Sequence, residues 1–377
     1  MIKSPGVFFD ARLMIRIPDN IKELKAYKPG KSITQIVEEL NLTKTAVLWN
    51  NENNFGCSPK AKIRMAEVMD NLYLYSDPLS TPLRTQIARE NGIQADQVVV
   101  GNGSEGIMQN LMRAFCKGDD EVLTFQGTFV IIYVWSLLND TPCKKVPLTD
   151  AYGFDLNPIL EQITDKTKVI YLSNPNNPTG AMISEKALRN FMTKVPEHIL
   201  VVIDEAYYEY ASVITEEYPD SIRMNYSNVL TLRTFSKAYG LAGMRVGYAM
   251  GHIDLIEPLM RVKLTFEPSS LAQAAGEGAL ADVDFLANTV QNNKEQLPVF
   301  YKAFDEMAVT YVPSFANFVM IDMGTPEKAT QVFEDLLKKG VFVRVLAAFG
   351  LPHCIRITVG TPEENAFCIE MMKEVLN

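Results

Sequence analysis

Between Val98 and Met250, short apolar runs rich in β-branched residues alternate with stretches of helical periodicity, and no other feature constrains the chain as strongly. Strands joined by helix-length connections pair in parallel, so both faces of the sheet they form must be covered. The runs are Val98 to Gly101, Glu121 to Phe125, Lys168 to Ser173, Ile199 to Ile203, Val229 to Phe235 and Arg245 to Met250, each bounded by Gly, Pro, Asn, Asp or Ser. The expected fold class is α/β, with a mostly parallel central sheet and helices on both faces. From Leu271 onward the pattern changes to helical segments plus two strand-like runs, Phe318 to Asp322 and Cys354 to Val359. Three parts are therefore predicted: an N-terminal segment, 1–50, packing beside the smaller domain; a large domain, 51–270; and a smaller α+β domain, 271–377. With 377 residues, 47% of them hydrophobic, the chain is long enough to bury two such cores.

In sheets of this kind ligands bind beyond the strand C-termini. Polar residues gather at those places: Gly103-Ser104-Glu105, Asn174 to Gly180, Asp204-Glu205-Ala206-Tyr207 and Ser236-Lys237. The net charge of −9 is spread without a basic run, which excludes a nucleic-acid footprint and a polybasic membrane patch, while leaving anionic small molecules possible wherever arginines converge. The five cysteines stand far apart in sequence with no C-x-x-C pair, and the three histidines are likewise scattered, so no metal is expected. The N-terminus has charges and prolines where a signal peptide needs an apolar stretch, and a cytoplasmic location is predicted.

Two nucleotide motifs compete for the site. Gly101-Asn102-Gly103-Ser104-Glu105-Gly106 satisfies G-x-G-x-x-G after a strand, the dinucleotide fingerprint, and on that motif alone an NAD-binding oxidoreductase is the reading of another class. The next strand, however, ends in Gln126-Gly127 rather than the acidic residue that would hold the ribose. What survives is a helix N-terminus able to bind phosphate. Gly30-Lys31-Ser32 resembles the end of a Walker A loop, but Lys25 stands where its first glycine belongs.

The segment Thr234-Phe235-Ser236-Lys237-Ala238-Tyr239-Gly240-Leu241-Ala242-Gly243-Met244-Arg245 puts a lysine just after an apolar strand, among small residues, with an arginine eight positions on. A lysine in a dry pocket has its pKa depressed and becomes a nucleophile toward an aldehyde, while neighbouring hydroxyls and an arginine suit a phosphate. A surface lysine beside a loop is the bland alternative for any single lysine.

This segment resembles the Schiff-base segment of fold-type I pyridoxal-phosphate (PLP) enzymes, aminotransferase classes I and II. Asn174-Pro175-Asn176-Asn177-Pro178-Thr179-Gly180 and Asp204-Glu205-Ala206-Tyr207 are similar to two further blocks of that family, in the same order. The resemblance implies PLP as cofactor, Lys237 as the catalytic lysine, and Asp204 facing the pyridine nitrogen, which must stay protonated for the ring to act as an electron sink. It implies Asn177 and Tyr207 on the phenolate oxygen. Gly103, Ser104, Glu105, Thr234, Ser236 and Arg245 would surround the phosphate, and Phe129 would stack on the ring. Tyr75 matches a tyrosine that reaches the phosphate from a neighbouring subunit, which implies a homodimer.

Leu48 to Lys60, Leu74 to Leu83 and Arg356-Ile357-Thr358-Val359-Gly360-Thr361 look like the histidinol-phosphate subgroup, although Asn54, Cys57, Leu74, Ser76 and Gln126-Gly127 depart from its pattern. That likeness implies Arg356 as the carboxylate clamp, Arg344 as the cation for a substrate phosphate, and Asn53 and Tyr27 as further substrate contacts. The implied reaction is ping-pong exchange of an amino group between histidinol phosphate, or a related amine, and 2-oxoglutarate. An aromatic-amino-acid aminotransferase and a threonine-phosphate decarboxylase remain alternatives on the same fold.

Overall fold

The computed structural model of the chain describes residues 16–24 and 31–376; Tyr27 lies outside them. Its strands are β1 (Ala46–Val47), β2 (Val98–Gly101), β3 (Glu121–Phe125), β4 (Cys143–Val146), β5 (Thr167–Ser173), β6 (Leu200–Asp204), β7 (Val229–Thr234), β8 (Gly247–Gly251), β9 (Thr310–Val312), β10 (Phe318–Asp322), β11 (Val341–Phe342), β12 (Arg344–Leu346) and β13 (Leu351–Thr358).

Seven of them form one sheet in the order β2-β8-β7-β6-β5-β3-β4. It is parallel except that β8 runs against both neighbours. The central strands β6 and β7 are buried along their whole length, as a sheet covered on both faces requires. Period-two alternation sorts the side chains of β3, β5 and β6: Val122, Val169 and Val202 join the core on one face, and Leu123, Ile170, Val201 and Ile203 the core on the other.

Sequence and structure differ at short or polar strands. The edge strand β4, Cys-Lys-Lys-Val, escapes a search for apolar runs because its lysines blunt an exposed sheet edge. The run expected from Arg245 begins instead at Gly247, because Arg245 takes a left-handed conformation (φ 54°) and turns the chain before the strand starts. Beyond residue 271 the sheet has four strands rather than two, ordered β12-β13-β10-β9; β9 and β12 are three residues each, too short to show periodicity. Ala46 and Val47 pair in parallel with Val341 and Phe342, while Asn20 donates to the carbonyls of Leu137 and Leu138.

One histidine and one cysteine, adjacent in sequence, meet an aspartate at one point. Asp322, His353 and Cys354 bring their ligand atoms within 4.8 Å of one another. At their centre lies the Tyr152 hydroxyl, 2.6 Å from Asp322 Oδ2 and 2.9 Å from His353 Nε2. Among the described residues, no helix is long and apolar enough to cross a membrane.

Candidate active site

The C-terminal ends of β5, β6 and β7 and the start of the helix Gly103–Phe115 enclose one cavity. Each strand delivers a residue there because the chain must turn away from the sheet after its last paired position. Ser173 ends β5, Asp204 ends β6 and Thr234 ends β7, with Ser236 and Lys237 just beyond. Ser104, Glu105, Phe129, Asn177, Asp204, Tyr207, Thr234, Ser236, Lys237 and Arg245 all line this space. The structure therefore gathers residues 100 or more positions apart that the sequence suggested separately.

Lys237 Nζ donates to the Asn50 carbonyl at 3.0 Å. Burial, then the positive charges of Arg356 and Arg245, lower its pKa to about 8 against the pull of Glu52 and Asp204. A substantial fraction of the amine is thus neutral, and nucleophilic, near physiological pH. Asp204 sits opposite in charge: burial pushes it up to about 6, while a 2.6 Å hydrogen bond from the Tyr171 hydroxyl, the Ala206 N–H and Lys237 hold it down. A cation placed against it would restore the carboxylate fully, since an opposite charge favours ionisation.

Tyr207 is buried, its ring set edge-on to Phe318 at 5.2 Å. Its hydroxyl accepts from Asn51 Nδ2 at 2.9 Å, and burial raises its pKa to about 12, so it stays a donor. The helix start is open to an anion. A Cβ on Gly103 (φ 72°) would stand 2.9 Å from Arg245 Nη2, and one on Gly247 would stand 2.6 Å from the Ser104 nitrogen. These two glycines keep a space between backbone N–H groups and a guanidinium, which is the donor set for a phosphate. Arg245 itself is half-exposed and 3.7 Å from Glu105. The Thr234 and Ser236 hydroxyls lie 3.1 Å apart at the same end.

Two arginines complete the site from the four-stranded sheet. Arg344 on β12 is directly opposite Arg356 on β13. Arg356 is buried; its guanidinium donates to Asn177 Oδ1 at 2.5 Å and to the Trp49 carbonyl at 2.8 Å, and its Nε has no partner. Burial and the neighbouring Arg344 charge lower its pKa to about 10. Arg344 donates to Asn50 Oδ1. Among the described residues neither has a carboxylate within ion-pair distance, whereas most buried cations do. Like charges placed opposite across a strand pair repel, and an anion between them removes that cost.

Three expected residues lie elsewhere. Asn53 faces a separate small cavity and donates to the Ala238 carbonyl (2.9 Å) and the Thr289 hydroxyl (3.1 Å), bracing the lysine segment instead of reaching the substrate space. Tyr75 is 81% exposed and stacks on Phe266 with ring centres 4.2 Å apart, away from its own chain's cavity. Tyr27 is outside the described residues. Conversely, Asn50, Asn51 and Tyr171 were not singled out. Asparagines in a loop and a tyrosine inside a strand carry no chemical signature until folding places them against Lys237, Tyr207 and Asp204.

An α/β sheet presenting a depressed lysine, an elevated aspartate and a phosphate cradle defines an enzyme of carbonyl–amine chemistry on the fold-type I architecture. The family model for aminotransferase class I and II matches residues 43–370. A histidinol-phosphate aminotransferase of Bacillus cereus is 40% identical over 365 residues, covering 96% of this chain and 97% of its own. One from Bacillus velezensis is 40% identical over 96% of this chain and all of its own. A crystal structure of histidinol-phosphate aminotransferase from Sinorhizobium meliloti in complex with pyridoxal-5'-phosphate superposes with a TM-score of 0.86 at 26% identity, covering 96% of this chain and 97% of that one. The chain belongs to the aminotransferase class I and II family.

Proposed function

We propose that the chain is a PLP-dependent aminotransferase that takes the amino group of histidinol phosphate and passes it to 2-oxoglutarate in two half-reactions. The observation that carries the substrate reading is the unpaired cation couple, Arg344 opposite Arg356, beside the lysine cavity. The names of the relatives favour the same substrate. Bound PLP supplies a cationic ring that draws electrons from the carbon losing its proton. Asp204 would keep that ring's nitrogen protonated, and Asn177 and Tyr207 would donate to its phenolate oxygen. Backbone N–H groups at Gly103, Ser104 and Glu105, with the Thr234 and Ser236 hydroxyls and Arg245, would hold the phosphate, and Phe129 would cover one ring face. Lys237 would hold the cofactor through its aldehyde, and its amine would take up the proton from the substrate carbon bearing the amine.

Arg344 meets the substrate phosphate in one half-reaction, and Arg356 clamps the carboxylate of the oxo acid in the other. Residues 51–270 then act as the cofactor-holding body and 271–377, with the N-terminal segment, as the body that presents the two arginines. We also assign the protein to the reducing cytoplasm, a reading supported by five cysteines that are all free, and to a homodimer in which Tyr75 serves the neighbouring site.

Charging the PLP-loaded enzyme with histidinol phosphate, phenylalanine and threonine phosphate in turn, and following the bound-cofactor absorbance in a single turnover, tests the reading. Histidinol phosphate is expected to react with the highest kcat/KM, and Arg344→Ala to lower that value roughly 10–100-fold while sparing phenylalanine. Preference for phenylalanine, release of carbon dioxide from threonine phosphate, or a colourless protein that binds NAD would each replace it.

A further inference from the structure

A second cavity, of about 400 Å³, shares no lining residue with the lysine cavity and is not used by the reaction. Its floor is Glu209, 7% exposed, whose carboxyl oxygen Oε2 is buried with no hydrogen-bond partner. A buried carboxyl without a partner is costly, and native proteins rarely keep one for nothing. Burial pushes its pKa up to about 7 and raises that of Glu90 on the opposite wall as well. The rings of Tyr208, Tyr239 and Tyr248 line the same space, as do Leu286 and Val290 of the helix Val283–Glu306.

The charges facing the cavity decide what it selects. Arg233 is consumed: its guanidinium meets Glu205 and Asp220 at 2.8 Å and Asn91 at 2.9 Å, and lies 3.3 Å over the Tyr208 ring. Arg223 at the rim is bridged to Asp220 at 3.1 Å. Both arginines among the described lining residues thus have a carboxylate partner, and two carboxyls and the rings of Tyr239 and Tyr248 remain. Carboxylates with π-faces are the chemistry that binds organic cations, and apolar helix residues suit the carbon body such a cation carries. The structure assigns to this cavity a second binding site, separate from the lysine cavity, for a small organic cation: an ammonium, guanidinium or amidinium group on an aromatic or aliphatic body, with Glu209 as its charge partner.

Binding would ionise Glu209 and provide the partner its oxygen lacks. Glu209 lies two residues from Tyr207, and Glu205, which holds Arg233, follows Asp204 directly, so an occupant would sit one layer behind the cofactor's contacts.

Benzamidine is a suitable probe, since an amidinium cannot serve as an amino donor. Calorimetric titration of the PLP-loaded enzyme should give one site per chain with a Kd of roughly 0.1–1 mM, and saturating amino-acid substrate should leave that Kd unchanged. Glu209→Gln should weaken binding at least tenfold. Ala287→Phe, which fills the space from the helix without touching the carboxyl, should abolish it while turnover stays at the wild-type rate. Equal affinity in wild type and Glu209→Gln, retention in Ala287→Phe, displacement by substrate, or no measurable heat would each overturn the assignment.

Discussion

At the residue scale, Lys237 shows how function sets itself against stability. Its pKa is depressed from 10.5 to about 8, so the folded protein binds fewer protons there than the unfolded chain between those values. The sign follows: the lysine costs stability below about pH 8, and the cost fades as pH rises toward 10.5. Lys237→Met in the cofactor-free protein is therefore expected to raise the melting temperature by a few degrees at pH 7 and by little at pH 10.5; a loss at both would show that the amine is better satisfied than its surroundings suggest. The same shift governs chemistry. Capture of PLP by the cofactor-free enzyme should accelerate as pH passes about 8 and level off above it, and stopped-flow absorbance would detect a midpoint left near the ordinary lysine value. Residue identity at this scale was readable beforehand for Lys237, Asp204, Asn177 and Tyr207, because each lies in a contiguous motif. It was not for Tyr171, whose 2.6 Å bond to Asp204 depends on the pairing of β5 with β6.

At the element scale, the contact between β8 and the start of the helix Gly103–Phe115 carries the phosphate cradle. A methyl group on Gly247 would fall 2.6 Å from the Ser104 nitrogen and 2.8 Å from the Gly103 carbonyl carbon, both backbone atoms with nowhere to retreat. Gly247→Ala should push the helix start off the sheet, costing about 1–3 kcal/mol of stability by overpacking and weakening PLP retention tenfold or more in equilibrium dialysis. An unchanged PLP affinity would mean that the anion is held by side chains alone. Elements were readable to the extent that they were apolar and long. β2, β3 and β10 fall where their apolar runs predicted, while β4 and β12 did not announce themselves, since a charged edge strand and a three-residue strand have no periodicity to find.

At the scale of the whole molecule, one group of exposed apolar side chains comes from two segments joined by a ring stack. Tyr73, Leu74 and Tyr75 are 82%, 56% and 81% exposed, and Leu264 and Phe266 join them, with Phe266 stacked on Tyr75. Apolar groups so concentrated call for a partner surface, and a second copy of the chain is the expected one. Co-expression of Tyr75→Ala with Lys237→Ala tests the sharing of that tyrosine: mixed dimers place both lesions in one site and restore the other, so activity should exceed that of either variant alone. No recovery in purified hybrids would confine Tyr75 to its own chain or to packing.

The parallel sheet, the strand ends that border the cavity, and the cavity-lining residues held in short motifs were legible in the chain's order of residues, because alternation and local turn chemistry act over a few neighbours at a time. Folding in three dimensions was needed to set Arg344 opposite Arg356 beside the lysine cavity, to turn Asn53 onto the lysine segment, and to bury one carboxyl oxygen of Glu209 without a hydrogen-bond partner. Charge repulsion, desolvation and the pKa values that follow from them arise between groups far apart along the chain, and those distances exist only once it has folded.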